Sequence, residues 1–171
     1  GYEASKMARE TYAEYFHNHY DLTLAGMRFF SVYQGYGGAE EHKGEYANVV
    51  AQFADDVATG DAPKLYGDGE QTRDFTHVDD IVSGLILAAE HELDGVYNLG
   101  TGEAYDFNTV VDMINDELGT DVDPVYVENP IPDDVYVHDT CADASKMREA
   151  TGWEPAISFE EGIELVCEQY T

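Results

Sequence analysis

Helical and strand-like apolar spacings take turns along this chain, and that alternation constrains its fold more than any other feature. Residues 5–20 carry Met7, Ala8, Thr11, Tyr12, Tyr15 and Phe16 at helical spacing, and "YDLTLAGMRFF" then alternates as a strand entering a core does. "YQGYGGAEEHKGEY" is too rich in glycine for regular structure and long enough to be a functional loop. "NVVAQFADDVATG" predicts an amphipathic helix stopped at Gly60, and "PKLYGDGEQTRDFTHV" two short strands around a Gly-Asp-Gly turn. Asp79 or Asp80 is then placed to cap a helix over "IVSGLILAAEHEL". "GVYNLGTG" predicts a strand, "FNTVVDMINDELG" a helix stopped by Gly119, and "DPVYVENPIPDD" an extended, proline-marked connection. Two short helices close the chain, the second opening with a Ser158…Glu161 capping box. With no repeat and no low-complexity linker, residues 1–171 predict a single unit of order α, β, α, β, β, α, β, α, β, α, α: an α/β fold with mixed strand pairing.

The chemistry-bearing residues start at the second position. On a helix Tyr2 and Lys6 sit one turn apart on one face. A tyrosine alone, with a pKa of about 10, is a poor base at neutral pH; a nearby ammonium stabilises its phenolate, and such a pair can exchange protons with a sugar hydroxyl. Tyr-x-x-x-Lys also arises often by chance, and a solvated helix face is the alternative. No Gly-x-Gly-x-x-Gly turn follows a strand near the start of the chain, so no pyrophosphate-binding turn is assigned. The histidines lack metal-ligand spacing and the aspartates lack an EF-hand pattern, which argues against a bound metal. Phe29 is expected in the core, and Asp74 and Asp79 as turn and cap residues. His17 and His19 are expected at the surface near the end of the first helix.

Taken in order and spacing, "YEASKMARE", "RFFSVYQG", "YGDGEQTRDFTHVDDI", "VYNLGTGE" and "ADASKMREATGWEPAISFEEGI" resemble the extended short-chain dehydrogenase/reductase family, which includes nucleotide-sugar epimerases and dehydratases. The resemblance implies the C-terminal part of a Rossmann-type fold plus the small α/β substrate-binding lobe, with the N-terminal dinucleotide-binding half absent. It implies Tyr2 as acid/base and Lys6 as its tuning partner and a ribose ligand of NAD or NADP. That cofactor would be held mostly by the missing half, with Phe30 lining the nicotinamide pocket. For a nucleotide-diphosphate sugar it implies Arg73 as pyrophosphate ligand, Leu65, Tyr66 and Gly67 as a wall for the base, and Ser31, Glu45 and Gln52 as further substrate contacts. "EEHKGEYANV" and "YVHDTCAD" narrow the likeness toward ADP-glycero-manno-heptose 6-epimerases, which implies Lys43 as a second acid/base and Tyr136 as a substrate contact. The chain departs from the family where Ser31 replaces an asparagine, where Glu45 replaces a small hydroxyl residue, and where Ile131 stands near the position of a second phosphate-binding arginine. The implied activity is epimerisation through a transient keto sugar, by a chain that is inactive without its other half and that associates with that half or with a copy of itself. A 4,6-dehydratase fragment and a non-catalytic nucleotide-sugar-binding or assembly domain are the alternatives.

Charge sets the solvent in which such a fold has to persist. Against 36 Asp and Glu stand 8 Lys and Arg, a formal net charge of −28 in 171 residues. A surface of that sign repels nucleic acid and anionic membrane. The carboxylates are scattered through predicted helices and turns, as a protein adapted to concentrated salt requires, which points to a halophilic, haloarchaeal chain in a high-salt cytosol. Cys141 and Cys167 are too few for a disulfide framework and are expected as thiols. No apolar run approaches the roughly 20 residues of a membrane span, and no charged-then-apolar leader opens the chain, so a soluble, cytoplasmic protein is expected. Screening shortens from about 10 Å to about 3 Å between about 0.1 M and about 1 M salt. The melting temperature is therefore expected to climb steeply with KCl over that range; a flat or falling profile in a thermal scan would contradict this reading of the charge.

Overall fold

A computed structural model of the chain describes residues 1–34, 43, 47–132 and 134–171, apart from the side chains of residues 2 and 3. The first helix, α1 (Tyr2–Tyr20), leads into β1 (Ala25–Phe29), which pairs in parallel with β6 (Gly95–Leu99) in the register Ala25↔Gly95 to Phe29↔Leu99. Between them run β2 (Val32–Tyr33), α2 (Val49–Thr59), β3 (Lys64–Tyr66), β4 (Thr72–Arg73), β5 (Thr76–His77) and α3 (Val78–Glu90). After β6 come β7 (Tyr105–Asp106), α4 (Phe107–Leu118), β8 (Val125–Val127), α5 (Ser145–Thr151) and α6 (Phe159–Cys167), with a closing 3-10 turn. Alternate β1 residues face opposite ways. Gly26 and Arg28 line a groove of about 540 Å³ beneath α1, while Ala25 and Met27 line one of about 360 Å³ against Leu85 and Ala88 of α3. The parallel pair thus has a helix on each face, as parallel sheets require.

Two cores divide the chain. One gathers Ile81, Ala88, Tyr97, Leu99, Ala144, Met147 and Trp153 from α3, β6, α5 and the segment after it. Asp80 binds this region together: its carboxylate accepts the amides of Ala156 (2.8 Å) and Ile157 (3.2 Å), and its carbonyl accepts the Trp153 indole N–H (3.1 Å). The other core lies under α2, α4 and α6, where Phe75 stacks on Phe159 at 4.8 Å and Tyr33 meets Phe159 edge-on at 5.5 Å. On α6 a Cβ at Gly162 would collide with the Tyr33 ring, so the missing side chain is what lets helix and strand approach. The Tyr33 hydroxyl is buried with no hydrogen-bond partner among the described residues, and burial, more than the nearby Asp80, pushes its pKa up.

The local signals behave as their chemistry dictates. Gly60 and Gly119 end α2 and α4 in the left-handed conformation that costs glycine least. Ser158 and Glu161 form the reciprocal capping box on α6. Three expectations need correction. The cap of α3 is neither Asp79 nor Asp80 but His77, whose Nδ1 accepts the Asp79 amide at 3.2 Å, because Asp80 is drawn away to Ala156 and Ile157. The stretch around the Gly-Asp-Gly turn holds three short strands where two are expected: β3 runs parallel to β8, β4 antiparallel to β7, and β5 parallel to β2. Phe29 is 48% exposed: it falls on the same face of β1 as Ala25 and Met27 but outside the groove that those two residues line against α3.

The outer face of α1 carries Tyr12, Tyr15, Phe16 and Tyr20, all exposed, with Phe16 stacked on Tyr20 at 5.5 Å. Toward the sheet, Arg28 donates to Glu10 through Nε (2.8 Å) and Nη2 (2.7 Å), and these bonds hold the Glu10 carboxyl below the usual range. His17 and His19 are exposed, their Nδ1 atoms 2.9 Å from the carbonyls of Leu22 and Tyr15. No described helix is long and apolar enough to cross a membrane. Both cysteines are free thiols. Cys167, packed in the α6 core, has its pKa pushed up to about 12, chiefly by burial, and Cys141 is exposed. An aromatic disulfide reagent at about pH 8 should therefore modify Cys141 in the native chain and Cys167 only after unfolding; equal rates at both thiols would contradict the packing of α6.

Candidate functional site

Arg73 occupies the middle of a small three-strand arrangement. Its strand β4 pairs on one edge with β7, Arg73 opposite Tyr105, and on the other edge makes a parallel bridge from Thr72 to Asp139. The guanidinium is held by Nη1 to the carbonyls of Thr72 (2.6 Å) and His138 (2.7 Å), and by Nη2 to the Val137 carbonyl (2.9 Å) and the Tyr136 hydroxyl (3.4 Å). The Phe107 and Tyr136 rings lie 5.7 and 5.6 Å from its central carbon, within cation–π range. These partners are all neutral, so the cation keeps its appetite for an anion, and a planar fork of N–H groups suits phosphate oxygens.

Next to it, Asp74 is fully buried. Its carboxylate accepts the Thr101 amide (2.9 Å) and hydroxyl (2.7 Å), the Gly102 amide (2.9 Å) and the Ala142 amide (3.0 Å). A buried anion is tolerable when several N–H dipoles replace water in this way. The three segments gathered by Asp74 meet β1 at Gly100. A Cβ there would overlap the Ala142 methyl, lie 2.9 Å from Asp74 Oδ2 and lie 3.2 Å from Phe30 Cβ. Phe30, half-buried, is anchored by its amide to the Leu99 carbonyl (3.1 Å), and Ser31 follows at φ +24°, a strained value for a residue with a side chain. The end of β1 and the start of the Arg73 strand are therefore held together through a residue that has to be glycine.

The remaining expected site residues fall as follows. Tyr2 and Lys6 lie on α1 at i, i+4, which puts them on one helix face; the Tyr2 side chain lies outside the described residues. Tyr66 and Gly67 are exposed at the turn after β3, Gly67 with φ +65°, whereas Leu65 points into the core under α2 and α4 and cannot form part of an open wall. The correction follows from strand alternation: Leu65 faces opposite to Tyr66. Gln52 is half-buried on α2 and donates to the Ala47 carbonyl at 2.6 Å. Lys43 is exposed; Glu45, His42 and Gly44 lie outside the described residues. Ile131 is exposed in the connection after β8. No group of three or more metal-ligating side chains occurs among the described residues.

Three residues of this region are not legible as site residues beforehand. Phe107, beneath the guanidinium, reads as the first apolar residue of a helix. Gly100 reads as a turn glycine, and Asp74 as a turn aspartate. Tyr105, facing Arg73 across the β4–β7 pair, has its pKa pushed up to about 12 by burial and then by the Glu160 and Glu103 carboxylates, so it is a neutral hydroxyl at physiological pH. The signal that could have singled out Gly100 and Asp74 is the "NLGTG" run placed against "RDF", since a buried carboxylate needs a cluster of backbone N–H groups.

A short parallel edge flanked by helices, joined to a lobe that presents an anion-seeking arginine, defines the C-terminal part of a Rossmann-type α/β protein. Comparison with known proteins agrees. The family model described as GDP-mannose 4,6 dehydratase matches residues 1–166. A putative UDP-glucose 4-epimerase of Methanocaldococcus jannaschii is 33% identical over 96% of the chain and 51% of its own length. An ADP-L-glycero-D-manno-heptose-6-epimerase of Alkalilimnicola ehrlichii is 34% identical over 87% of the chain and 48% of its own length. Among solved structures, Thermus thermophilus UDP-glucose 4-epimerase in complex with NAD superposes with a TM-score of 0.81 at 30% identity, over 99% of this chain and 53% of that one. The chain belongs to this family of nucleotide-sugar epimerases and dehydratases, and it spans about half the length of the curated relatives it matches. The two relatives differ in nucleotide and in the carbon they invert, so their similar identities do not favour the heptose enzymes.

The convergence at Gly100 is directly measurable. Gly100→Ala forces one methyl into a filled space bounded by Ala142, Asp74 and Phe30, and is expected to cost about 1–3 kcal/mol. A lowered urea midpoint with an unchanged slope would report it, and an unaltered midpoint would refute the tight crossing.

Proposed function

We propose that this chain is the catalytic-helix and substrate-binding half of an NAD(P)-dependent nucleotide-sugar epimerase, and that it works together with a dinucleotide-binding unit in a salt-rich cytosol. The observation that carries the reading is Arg73, a guanidinium bordered by two aromatic rings and held by neutral oxygens, one tight glycine crossing away from the end of the strand that bears Phe30 and Ser31. An arginine so placed suits the diphosphate of a nucleotide sugar, with Tyr66 and Gly67 toward the base and Tyr136 toward the sugar side. The relatives support the reaction class, since two of those matched along most of the chain are named as epimerases of UDP-glucose and of an ADP-linked heptose.

The described residues fit one end of the cofactor. Tyr2 and Lys6 at i, i+4 on α1, with Phe30 just past the end of β1, suit a nicotinamide and its ribose; a glycine-rich turn for the pyrophosphate is not among the described residues. A dinucleotide held there would supply reversible hydride chemistry at a sugar carbon. What this chain adds is proton management and orientation. The Tyr2 oxygen takes the proton of the hydroxyl on the carbon being oxidised and gives it back on reduction, Lys6 favouring the phenolate electrostatically. Arg73 anchors the diphosphate so that the keto sugar can turn without leaving. Lys43 would act from the loop as the second acid/base where the inverted carbon demands one. Ser31 and Gln52 would orient sugar hydroxyls, and Glu45 would lie near the diphosphate in need of a bridging cation.

The partner unit is supported by the β1 edge. Among the described residues the sheet has two strands, β1 paired to β6 on one edge and open on the other, and the aromatic face of α1 is exposed. A third parallel strand against β1 would extend the sheet, in line with relatives twice as long. The high-salt setting is supported by the net charge of −28. Calorimetric titration at high salt is expected to show UDP- or ADP-sugars binding to the chain, with Arg73→Ala at least about 10-fold weaker, as the loss of charge-assisted hydrogen bonds implies. Equal binding by both chains would remove the diphosphate role. Turnover restored by a complementing dinucleotide-binding half but unaffected by Tyr2→Phe would remove the catalytic one.

A further inference from the structure

Arg73 is already spoken for. Each of its two Nη nitrogens makes two hydrogen bonds, and three of the four acceptors, the carbonyls of Val137 and His138 and the hydroxyl of Tyr136, belong to the segment that follows the proline-marked connection. The fourth is the carbonyl of Thr72. A diphosphate cannot take the Nη face of this fork while those carbonyls hold it. The same segment is fastened to the edge of β4 immediately beyond. The Thr72 amide donates to the His138 carbonyl (3.1 Å) and the Thr140 amide to the Thr72 carbonyl (3.2 Å). Asp139 Oδ1 accepts from the Thr72 hydroxyl (2.8 Å) and amide (3.2 Å), and His138 Nδ1 lies 3.1 Å from the same oxygen. These bonds, the Thr72 hydroxyl first and then His138, hold the exposed Asp139 carboxyl below the usual range.

We propose that residues 136–140 form a latch over Arg73 that a nucleotide diphosphate displaces, and that Asp139 is the positioning residue that sets how firmly the latch is closed. The proposal rests on Arg73 being the diphosphate ligand. Phosphate oxygens take over the hydrogen bonds that the carbonyls of Val137 and His138 relinquish, so the guanidinium is never left bare. The latch is anchored at its far end, where Ala142 donates to the buried Asp74, and opens as a flap. Because only the open fraction binds, the apparent dissociation constant exceeds the intrinsic one by the inverse of that fraction. Weakening the latch therefore tightens binding, the reverse of what loss of a substrate contact does.

The test compares wild-type chain with Asp139→Ala and Asp139→Asn, titrated with UDP and with ADP at high salt. Asparagine keeps an oxygen to accept from Thr72 but removes the charge; alanine removes both. The latch requires Asp139→Ala to bind about tenfold tighter than wild type and Asp139→Asn to stay within about twofold. Equal tightening in both variants would mean that only charge repulsion was relieved, and an unchanged or weaker Asp139→Ala would mean that no latch competes; either result overturns the proposal. In wild-type chain saturated with UDP, amide exchange at Thr72 and Thr140 should quicken, and unchanged or slower exchange overturns it as well. Absence of binding by all three chains would instead fail the assignment of Arg73 to the diphosphate, and the latch with it.

Discussion

The carboxylate of Asp74 is the point on which the site depends. It sits in the interior, without an ion pair among the described residues, and is made tolerable by three backbone amides and the Thr101 hydroxyl. Each of those amides belongs to a segment without regular structure, so nothing else in the local backbone dictates where it lies. Collecting them on one anion fixes the turn after β6 and the start of the segment leading to α5 relative to the Arg73 strand. Take the carboxylate away and three backbone donors lose their acceptor together, the buried Ala142 amide at a cost of about 1–3 kcal/mol. In a chain with 8 basic residues a structural ion pair at this position would have been the costlier solution, and N–H dipoles serve in its place.

What could be read from the amino-acid order follows the range of the forces involved. Helices were legible because periodicity and caps are local: Gly60, Gly119 and the Ser158–Glu161 box terminate or open their helices as expected. Strand pairing was not. Strands of two or three residues carry too little pattern to name a partner, and β3 finds β8 some sixty positions away, in the register Lys64↔Val125. Asp80 went astray for a related reason, since its long-range bonds to Ala156 and Ile157 outbid the local cap that His77 then supplied. Phe29 shows the limit of reading hydrophobicity as burial, because an outer strand presents apolar residues that only a further strand or helix would cover.

The site divides in the same way. Arg73 was legible in the sequence as one of 8 basic residues, set beside a Gly-Asp-Gly turn. The surroundings that give it character were not, since Phe107 arrives from the first turn of α4 and Tyr136 from more than sixty residues downstream. Leu65 reads as a neighbour of the turn and is instead a core residue, its direction decided by the register of β3 on β8.

The clasp between Glu10 and Arg28 has a mechanical consequence. It is the described polar side-chain link between the middle of α1 and β1, above a groove of about 540 Å³ that leaves the helix underside loosely packed. From Glu10 back to Tyr2 is eight residues, a lever arm of about 12 Å. A tilt of about 10° about that fulcrum displaces the first turn of α1 by roughly 2 Å. The position of that turn over the sheet is thus governed from a clasp about two helical turns away, with the open groove beneath the helix leaving room for the movement.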